Sequence, residues 1–286
     1  MISQRHIVAM NTLQQLLTSY AYNIIGSYEE AKDVVQDVIL ERLNRNSGII
    51  ENEKAYLIRS AINRAINVKN RQKKILSSYP GSWLPEPIAT ERTDYNLDQQ
   101  DILSYSLMVL LEKLDARQRA VFILKEAFDY DHEEIARVLD ISVENSRKIL
   151  SRAKKELKNA SPKRIIKTPG GYLDEYIDII RNGDTKRLEQ LLSDEIVLVS
   201  DGGGKATAAL HPMIGKETAL MFLSGIYRKF YQGSRIEKGF VNHHPALFFY
   251  EDGQLVTCQV FELKNKRIHR IYFLRNPDKL ASLVLG

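Results

Sequence analysis

Apolar residues recur at helical spacing through the first quarter of the chain. Leu13, Leu16, Leu17 and Tyr20 form one stripe that continues at Ile24. Gly26-Ser27 interrupts it, and Glu29 and Glu30 follow, acids where a helix N-terminus favours negative charge. Val34, Val35, Val38, Ile39 and Leu43 then predict the buried face of a second helix. After a loop at Asn46-Ser47-Gly48, a third helix is predicted over about 53–74, with Tyr56, Leu57, Ala61, Ile62, Ala65 and Ile66 on its apolar side. Over 77–100 the periodicity fails. Pro80, Gly81, Pro85 and Pro87 fall there, and proline lacks a donor and disfavours helix in the residue before it, so this segment reads as an extended linker. It carries Trp83, the sole tryptophan, which predicts a linker clipped to its nearest domain or docked against a distant one.

A second helical block spans about 100–160. Leu103, Leu107, Leu110, Leu111 and Leu114 form one apolar face, and Ala120, Val121, Ile123 and Leu124 the next. Two shorter helices follow, about 131–139 and 143–158, with a tight Asp140-Ile141-Ser142 turn between them. Small Ala136 permits close approach, Leu139 and Ile141 fill the angle, and Ser142 caps the second helix. This is a helix-turn-helix pattern, and Glu144, Asn145, Arg147, Lys148, Ser151 and Arg152 point outward from its second helix. Pro162, Pro169, Gly170 and Gly171 mark a second linker. Beyond it come helices at about 172–180, 185–192 and 215–230. A strand is predicted at 196–199, and four more at 235–241, 246–250, 255–263 and 267–274, with turns at Asp252-Gly253 and Lys264-Asn265-Lys266. Helices followed by a meander predict an α+β domain with a curved antiparallel sheet. The organisation is therefore a helical domain over 1–76, a proline-rich linker over 77–100, a helix-turn-helix domain over 101–160, a linker over 161–171, and the α+β domain over 172–286.

Composition narrows the classes. Of 286 residues, 44% are hydrophobic and 27% charged, which excludes a disordered chain. A single cysteine, Cys258, excludes an internal disulfide and a thiolate zinc cluster, and points to a reducing compartment. No stretch approaches the roughly 20 apolar residues needed to span a bilayer, so a cytoplasmic protein without a membrane partner is expected. The net charge of +5 is mild but concentrated. Residues 63–74 hold five Lys/Arg and no acid, and residues 143–167 hold nine Lys/Arg against Glu144 and Glu156. Two basic helices ending two helical domains favour a polyanionic partner through counterion release.

These residues carry a resemblance. The run Glu30-Ala31-Lys32-Asp33-Val34-Val35-Gln36-Asp37-Val38 resembles region 2 of bacterial RNA polymerase sigma factors. The helix-turn-helix, with Leu111-Glu112-Lys113-Leu114-Asp115 before it and Ser151-Arg152-Ala153-Lys154-Lys155 after it, resembles region 4. With only these two regions, the chain is similar to the extracytoplasmic-function type. Trp83-Leu84-Pro85-Glu86-Pro87, Asp201-Gly202-Gly203-Gly204-Lys205 and Asn276-Pro277-Asp278-Lys279-Leu280 resemble motifs of the subgroup with a SnoaL-like C-terminal extension. Lys32 stands where the family usually has an acid, and Lys154-Lys155 where arginines are commoner, so the bidentate fork of arginine is absent there.

The resemblance implies an alternative sigma factor that binds core RNA polymerase, recognises promoter DNA and initiates transcription, with its cone-shaped C-terminal domain regulating it in cis. Asp33, Gln36 and Asp37 would dock on the clamp helices of the largest subunit. Asn63, Arg64, Asn67, Asn70 and Arg71 would read the −10 element, and Glu144, Asn145, Arg147, Lys148 and Arg152 the −35 element. The three short motifs would form the regulatory interface. No cofactor or metal is expected. Such cones often hold an apolar pocket, which leaves an unidentified small-molecule ligand as a further partner. Its candidate acid and base groups are Asp201, His211, His243, His244 and Asp252, read foremost as turn and surface residues; the triple glycine lacks the Walker spacing, and His243-His244 has no neighbouring carboxylate or thiol. The competing class is a repressor-like DNA-binding protein with a small-molecule-binding or enzymatic C-terminal domain.

Overall fold

The computed structural model describes residues 4–44, 51–90, 97, 99–158 and 172–283. The loop expected at Asn46-Ser47-Gly48, much of the first linker beyond residue 90, and the second linker at 161–171 lie outside the described residues. The chain divides into two compact units: residues before 78 together with those from 97 to 158, and residues 78–90 together with 172–283.

In the first unit, α1 (Gln4–Ile25), α2 (Tyr28–Asn44) and α3 (Glu53–Leu76) form a bundle. Leu17, Ala21 and Ile24 of α1, Val34, Val35 and Val38 of α2, and Ala61, Ile62 and Ala65 of α3 are all buried, as their stripes predict. Asn52 caps α3 by accepting from the Ala55 N–H at 2.9 Å. Leu43 departs from the expectation: it is 70% exposed, and Leu40 56%. At 3.6 residues per turn, Leu43 lies about 130° from the centre of the arc formed by Ala31, Val34, Val35 and Val38. It shares the outer face with Asp33, Gln36 and Asp37, so it was never part of the buried stripe.

The same unit continues with a 3-10 turn (Gln99–Asp101) and with α4 (Tyr105–Leu111), α5 (Ala116–Glu126), α6 (His132–Leu139) and α7 (Val143–Glu156). Capping boxes start α5 at Asp115 and α6 at Asp131, and Ser142 caps α7. Asp140 takes the left-handed conformation that ends α6 (φ 54°). Polar groups join α1 and α3 to α4 and α5. The Lys69 ammonium donates to the Ile25 carbonyl at 2.9 Å and to Glu112 at 2.8 Å. Glu112 also pairs with Arg119, whose Nε donates to the Asn23 carbonyl at 2.8 Å. Tyr20 meets Tyr130, hydroxyl to hydroxyl, at 2.9 Å.

The second unit has α8 (Tyr172–Asn182), α9 (Thr185–Leu191), β1 (Leu192–Asp201), β2 (Met213–Ile214), α10 (Lys216–Ile226), a π-helical turn (Tyr227–Tyr231), β3 (Arg235–Val241), β4 (His244–Glu251), β5 (Gln254–Lys264), β6 (Arg267–Leu274) and α11 (Pro277–Leu280). The strands form one sheet in the order β2-β1-β6-β5-β4-β3. β3 to β6 are the expected antiparallel meander, but β1 lies parallel to β6, so the sheet is mixed. A helix and the whole meander separate β1 from β6 in sequence, so no hairpin forces them antiparallel. β1 also runs on through Ser200 and Asp201, expected in a turn, because Phe273 and Leu274 supply their pairing partners. Asn242 and His243, both at positive φ (43° and 66°), make a two-residue hairpin turn that the pattern did not signal.

Residues 88–90 belong to the edge of this sheet. Thr90 N–H donates to Phe240 O at 3.0 Å, and Asn242 N–H to Ile88 O at 2.8 Å. Ala89 bridges Val241 in antiparallel sense, and Asn242 Oδ1 accepts from Ile88 N–H at 2.9 Å. The linker therefore covers the end of edge strand β3 and satisfies backbone groups that would otherwise stay open.

Candidate functional site

On α7, Glu144, Asn145, Arg147, Lys148 and Arg152 are exposed, while Leu150 and Ala153 are buried. Glu144 and Lys148 pair along the helix at 2.6 Å. Ser146, which sequence reasoning passed over, is buried and bonded to His132 Nδ1 at 2.9 Å, tying α7 to α6. A small polar residue inside the stripe of Val143, Leu150 and Ala153 was the available signal. The helix thus offers a rigid outward row of two guanidinium groups, an amine and an amide, which suits phosphates and base edges of a duplex.

On α3, Asn63, Arg64, Asn67 and Arg71 line a cleft of about 650 Å³, together with Val38, Ser60 and Glu41. Asn70 is exposed and does not line it. Arg64 pairs with Asp37 at 3.2 Å and with Glu41 at 3.1 Å. Asn63 donates to Arg59 O within α3 and to Val138 O of α6, both at 2.8 Å. Asp33, Gln36 and Asp37 are exposed on α2. Lys32, beside them, pairs with Glu29 at 2.7 Å and lies 5.0 Å from the Tyr28 ring centroid.

In the second unit the three short motifs meet around Asp201 and Lys279. Asp201 is fully buried at the end of β1. Its carboxylate accepts from Tyr79 Oη at 2.6 Å, Leu84 N–H at 2.9 Å, Lys279 Nζ at 2.7 Å and Gly203 N–H at 3.0 Å. Lys279 also donates to Leu84 O, and its ammonium lies 4.1 Å from the Trp83 ring centroid and 5.3 Å from that of Tyr79. A cation so placed gains the ring quadrupoles as well as its carboxylate. Asn276 caps α11 through Asp278 N–H at 3.1 Å and donates to Tyr79 Oη at 3.1 Å. Burial, with Asp201 adding to it, holds the Tyr79 hydroxyl well above its ordinary pKa. Lys205 pairs with Asp278 at 2.5 Å on the exposed side. Leu84, Pro85, Glu86, Pro87 and Leu280 are buried, and Pro277 is exposed. Gly202 is buried too, and a Cβ on it would overlap Ala206 O. Gly203 and Gly204 sit at φ 62° and 72°. A Cβ on Gly203 would overlap the Asn276 amide, and one on Gly204 would stand 2.9 Å from Pro80 Cγ.

Asp201 is thus a saturated buried acceptor, not the turn or surface residue expected among the acid and base candidates. The other four do not converge with it. His211 and Asp252 are exposed, His243 occupies the β3–β4 turn, and His244 Nδ1 faces Phe261 O at 3.2 Å. Burial lowers the His244 pKa from its usual value. The inner face of the sheet is filled by aromatic pairs, Tyr176 with Phe261 at 4.9 Å and Tyr231 with Phe249 at 4.5 Å. A cleft of about 410 Å³ opens among α8, α9 and α10, over Ile180, Leu188, Leu223, Tyr227 and Arg228, and none of the five candidates lines it.

A helix-turn-helix with an outward basic row, a second basic helical module and an appended α+β domain define a DNA-binding protein of two helical modules. The comparisons narrow this class. The model of sigma-70 region 2 matches residues 9–75, and that of sigma-70 region 4 matches residues 104–157. The ECF RNA polymerase sigma factor SigJ of Mycobacterium tuberculosis (strain ATCC 25618 / H37Rv) is 28% identical over 291 residues, covering 94% of this chain and 91% of that protein. The probable ECF RNA polymerase sigma factor SigI of the same species (strain CDC 1551 / Oshkosh) is 23% identical, over 62% of this chain and 63% of its own. The crystal structure of the M. tuberculosis extracytoplasmic function sigma factor SigJ superposes with a TM-score of 0.75 at 23% identity, covering 96% of this chain and 98% of that one. The chain belongs to the extracytoplasmic-function sigma factors of the sigma-70 family. It is an alternative sigma factor that initiates transcription, with core RNA polymerase and promoter DNA as its partners and an α+β domain following its two helical regions. No helix among the described residues is long and apolar enough to cross a membrane.

Proposed function

We propose that the C-terminal domain regulates this sigma factor by gripping the connector between its two DNA-reading regions. The observation that carries this is the buried cluster of Asp201 and Lys279 on Tyr79, Trp83 and Leu84. The residues gripped lie between the sequences of region 2 and region 4, so whatever loosens the cluster frees the connector. The motif residues 83–87, 201–205 and 276–280 act here as a structural clasp and not as a catalytic centre, since the carboxylate and ammonium at its middle are already saturated.

The remaining assignments keep the roles that the resemblance implies. Asp33, Gln36 and Asp37 dock on the polymerase clamp helices, joined by exposed Leu40 and Leu43 on the same face of α2. Asn63, Arg64, Asn67 and Arg71 read the −10 element in their cleft, with Asn70 beside it on the backbone. Glu144, Asn145, Arg147, Lys148 and Arg152 read the −35 element from the major groove. In the first unit Asn63 is held by Val138 of α6, so reading the −10 element requires α3 and α6 to part. An unidentified small-molecule ligand remains open for the cleft over Leu223.

Run-off transcription with purified core polymerase tests this. The full chain, a chain ending at residue 161, and the full-length Lys279→Ala variant are compared on a candidate promoter. Transcription that depends on Asp33 and Arg147, and that changes in the same direction in the truncated and Lys279→Ala proteins, is the expected result. Equal transcription by all three forms would remove the clasp from regulation. DNA binding without any polymerase binding would return the repressor-like class.

A further inference from the structure

Glu41 was not signalled by the sequence, yet it sits among the cleft residues assigned to the −10 element. A carboxylate is a poor companion for a polyanionic strand. It accepts from Arg64 at 3.1 Å, and Asp37, one turn earlier on α2, holds the same guanidinium at 3.2 Å. Asp37 and Glu41 are four residues apart and face one side of α2, so both reach a single arginine on α3. The cleft and its rim then hold Arg64 and Arg71 against Asp37 and Glu41. Charge on the DNA-reading face is balanced where a surplus would be expected. Asp37 belongs at the same time to the α2 face assigned to polymerase docking. One side chain thus touches both functions.

We propose that Asp37 and Glu41 form an acidic clamp that masks Arg64 in the free protein, and that polymerase, by engaging Asp37, releases Arg64 to the DNA strand. This rests on the docking and −10 assignments above. The clamp has a definite consequence. The free sigma factor holds arbitrary single strands less tightly, because two exposed ion pairs offset the charge of its central arginine. When polymerase takes Asp37, Arg64 retains only Glu41, and the cleft gains positive charge where the displaced strand arrives. The coupling is reciprocal: polymerase raises DNA affinity by the same factor that DNA raises polymerase affinity. Glu41 is a positioning residue in this scheme, since it acts through Arg64.

The test measures fluorescence anisotropy of a labelled 20-nucleotide single strand of mixed sequence, with the full chain alone and with core polymerase added, across a salt series. Glu41→Gln, Arg64→Gln and the double variant are compared with the unaltered chain. Glu41→Gln is expected to raise the free protein's affinity about fivefold. It should steepen the log–log salt slope by about 0.7, one further phosphate contact on a single strand. It should also shrink the gain that polymerase confers, and in the Arg64→Gln background it should change nothing. An affinity gain from Glu41→Gln that persists without Arg64 would overturn the clamp, leaving only general repulsion. Unchanged affinity in Glu41→Gln, with polymerase binding intact, would overturn it too. Loss of polymerase binding by the unaltered chain would instead defeat the docking assignment, and the proposal with it.

Discussion

At the scale of single residues, the chain places its costliest chemistry where its three short motifs meet. Asp201 and Lys279 are buried charges, and such charges persist only when paired and hydrogen-bonded. Here the carboxylate has four donors and the ammonium has two acceptors and two ring faces. Removing one partner strands the other. Asp201→Ala should therefore destabilise the second unit by about 3–5 kcal/mol. Trp83 is the sole tryptophan, so loss of the clasp should also appear as a red shift of its emission, measured along a urea titration. An unshifted spectrum and an unchanged midpoint would remove Asp201 from the clasp. The motifs themselves were legible as motifs. That Asp201 is their buried hub was not, because the residue sits beside three glycines and reads locally as a turn.

At the scale of elements, α7 shows how far local signals reach. Ser142 caps it, Glu144 occupies its first turn, and Lys154 and Lys155 lie in its last, all visible in the sequence. Ser142→Ala should cost about 1 kcal/mol, read as a lower midpoint for the first unit and weaker duplex binding. Helix α2 shows the opposite case. Leu43 shares the apolar character of the buried valines, but its angular position places it outside. Leu43→Ser should accordingly leave thermal stability within about 0.5 kcal/mol, as for other surface changes. The same substitution should weaken polymerase binding severalfold, measured by titration of labelled core enzyme. A large fall in stability would put Leu43 back in the core.

At the scale of the whole chain, the first unit carries a buried charge network that spans regions 2 and 4. Lys69 of α3 reaches Glu112, just after α4, and Glu112 reaches Arg119 of α5. Burial, reinforced by repulsion from Arg119 and opposed by Glu112, brings the Lys69 pKa down to about 8. Burial pushes Glu112 up, but Arg119 and Lys69 outweigh it and hold its carboxyl below the usual range. Between pH 8 and the ordinary lysine value of about 10.4, the unfolded chain binds the lysine proton and the native chain does not, so stability rises with pH across that window. The glutamate contributes in the other regime: its stabilisation is present at neutral pH and lost as pH falls through its depressed folded value. The urea midpoint of the first unit should therefore climb between pH 7.5 and 9.5, by roughly 1–2 kcal/mol of stability. Lys69→Met should abolish that climb. A climb that survives the substitution would assign it to another group.

The sequence by itself determined the helices and their faces, the helix-turn-helix with its caps, the meander, and the two basic helices. Each is a local property, set by spacing, capping and charge within a few residues of one another. It also determined the family, because the region 2 and region 4 signatures are linear. What the tertiary structure decided depends on partners far apart in the chain. β1 found β6 as a parallel neighbour across more than 60 residues. Ile88 to Thr90 joined the edge of a sheet made of strands beyond residue 191, and Glu41 entered a cleft whose other polar members lie on α3. Periodicity cannot announce such pairings, since each of those residues satisfies its local pattern equally well in several folds. They are chosen by burial and charge compensation once the elements meet, and the clasp and the clamp both arise at that level.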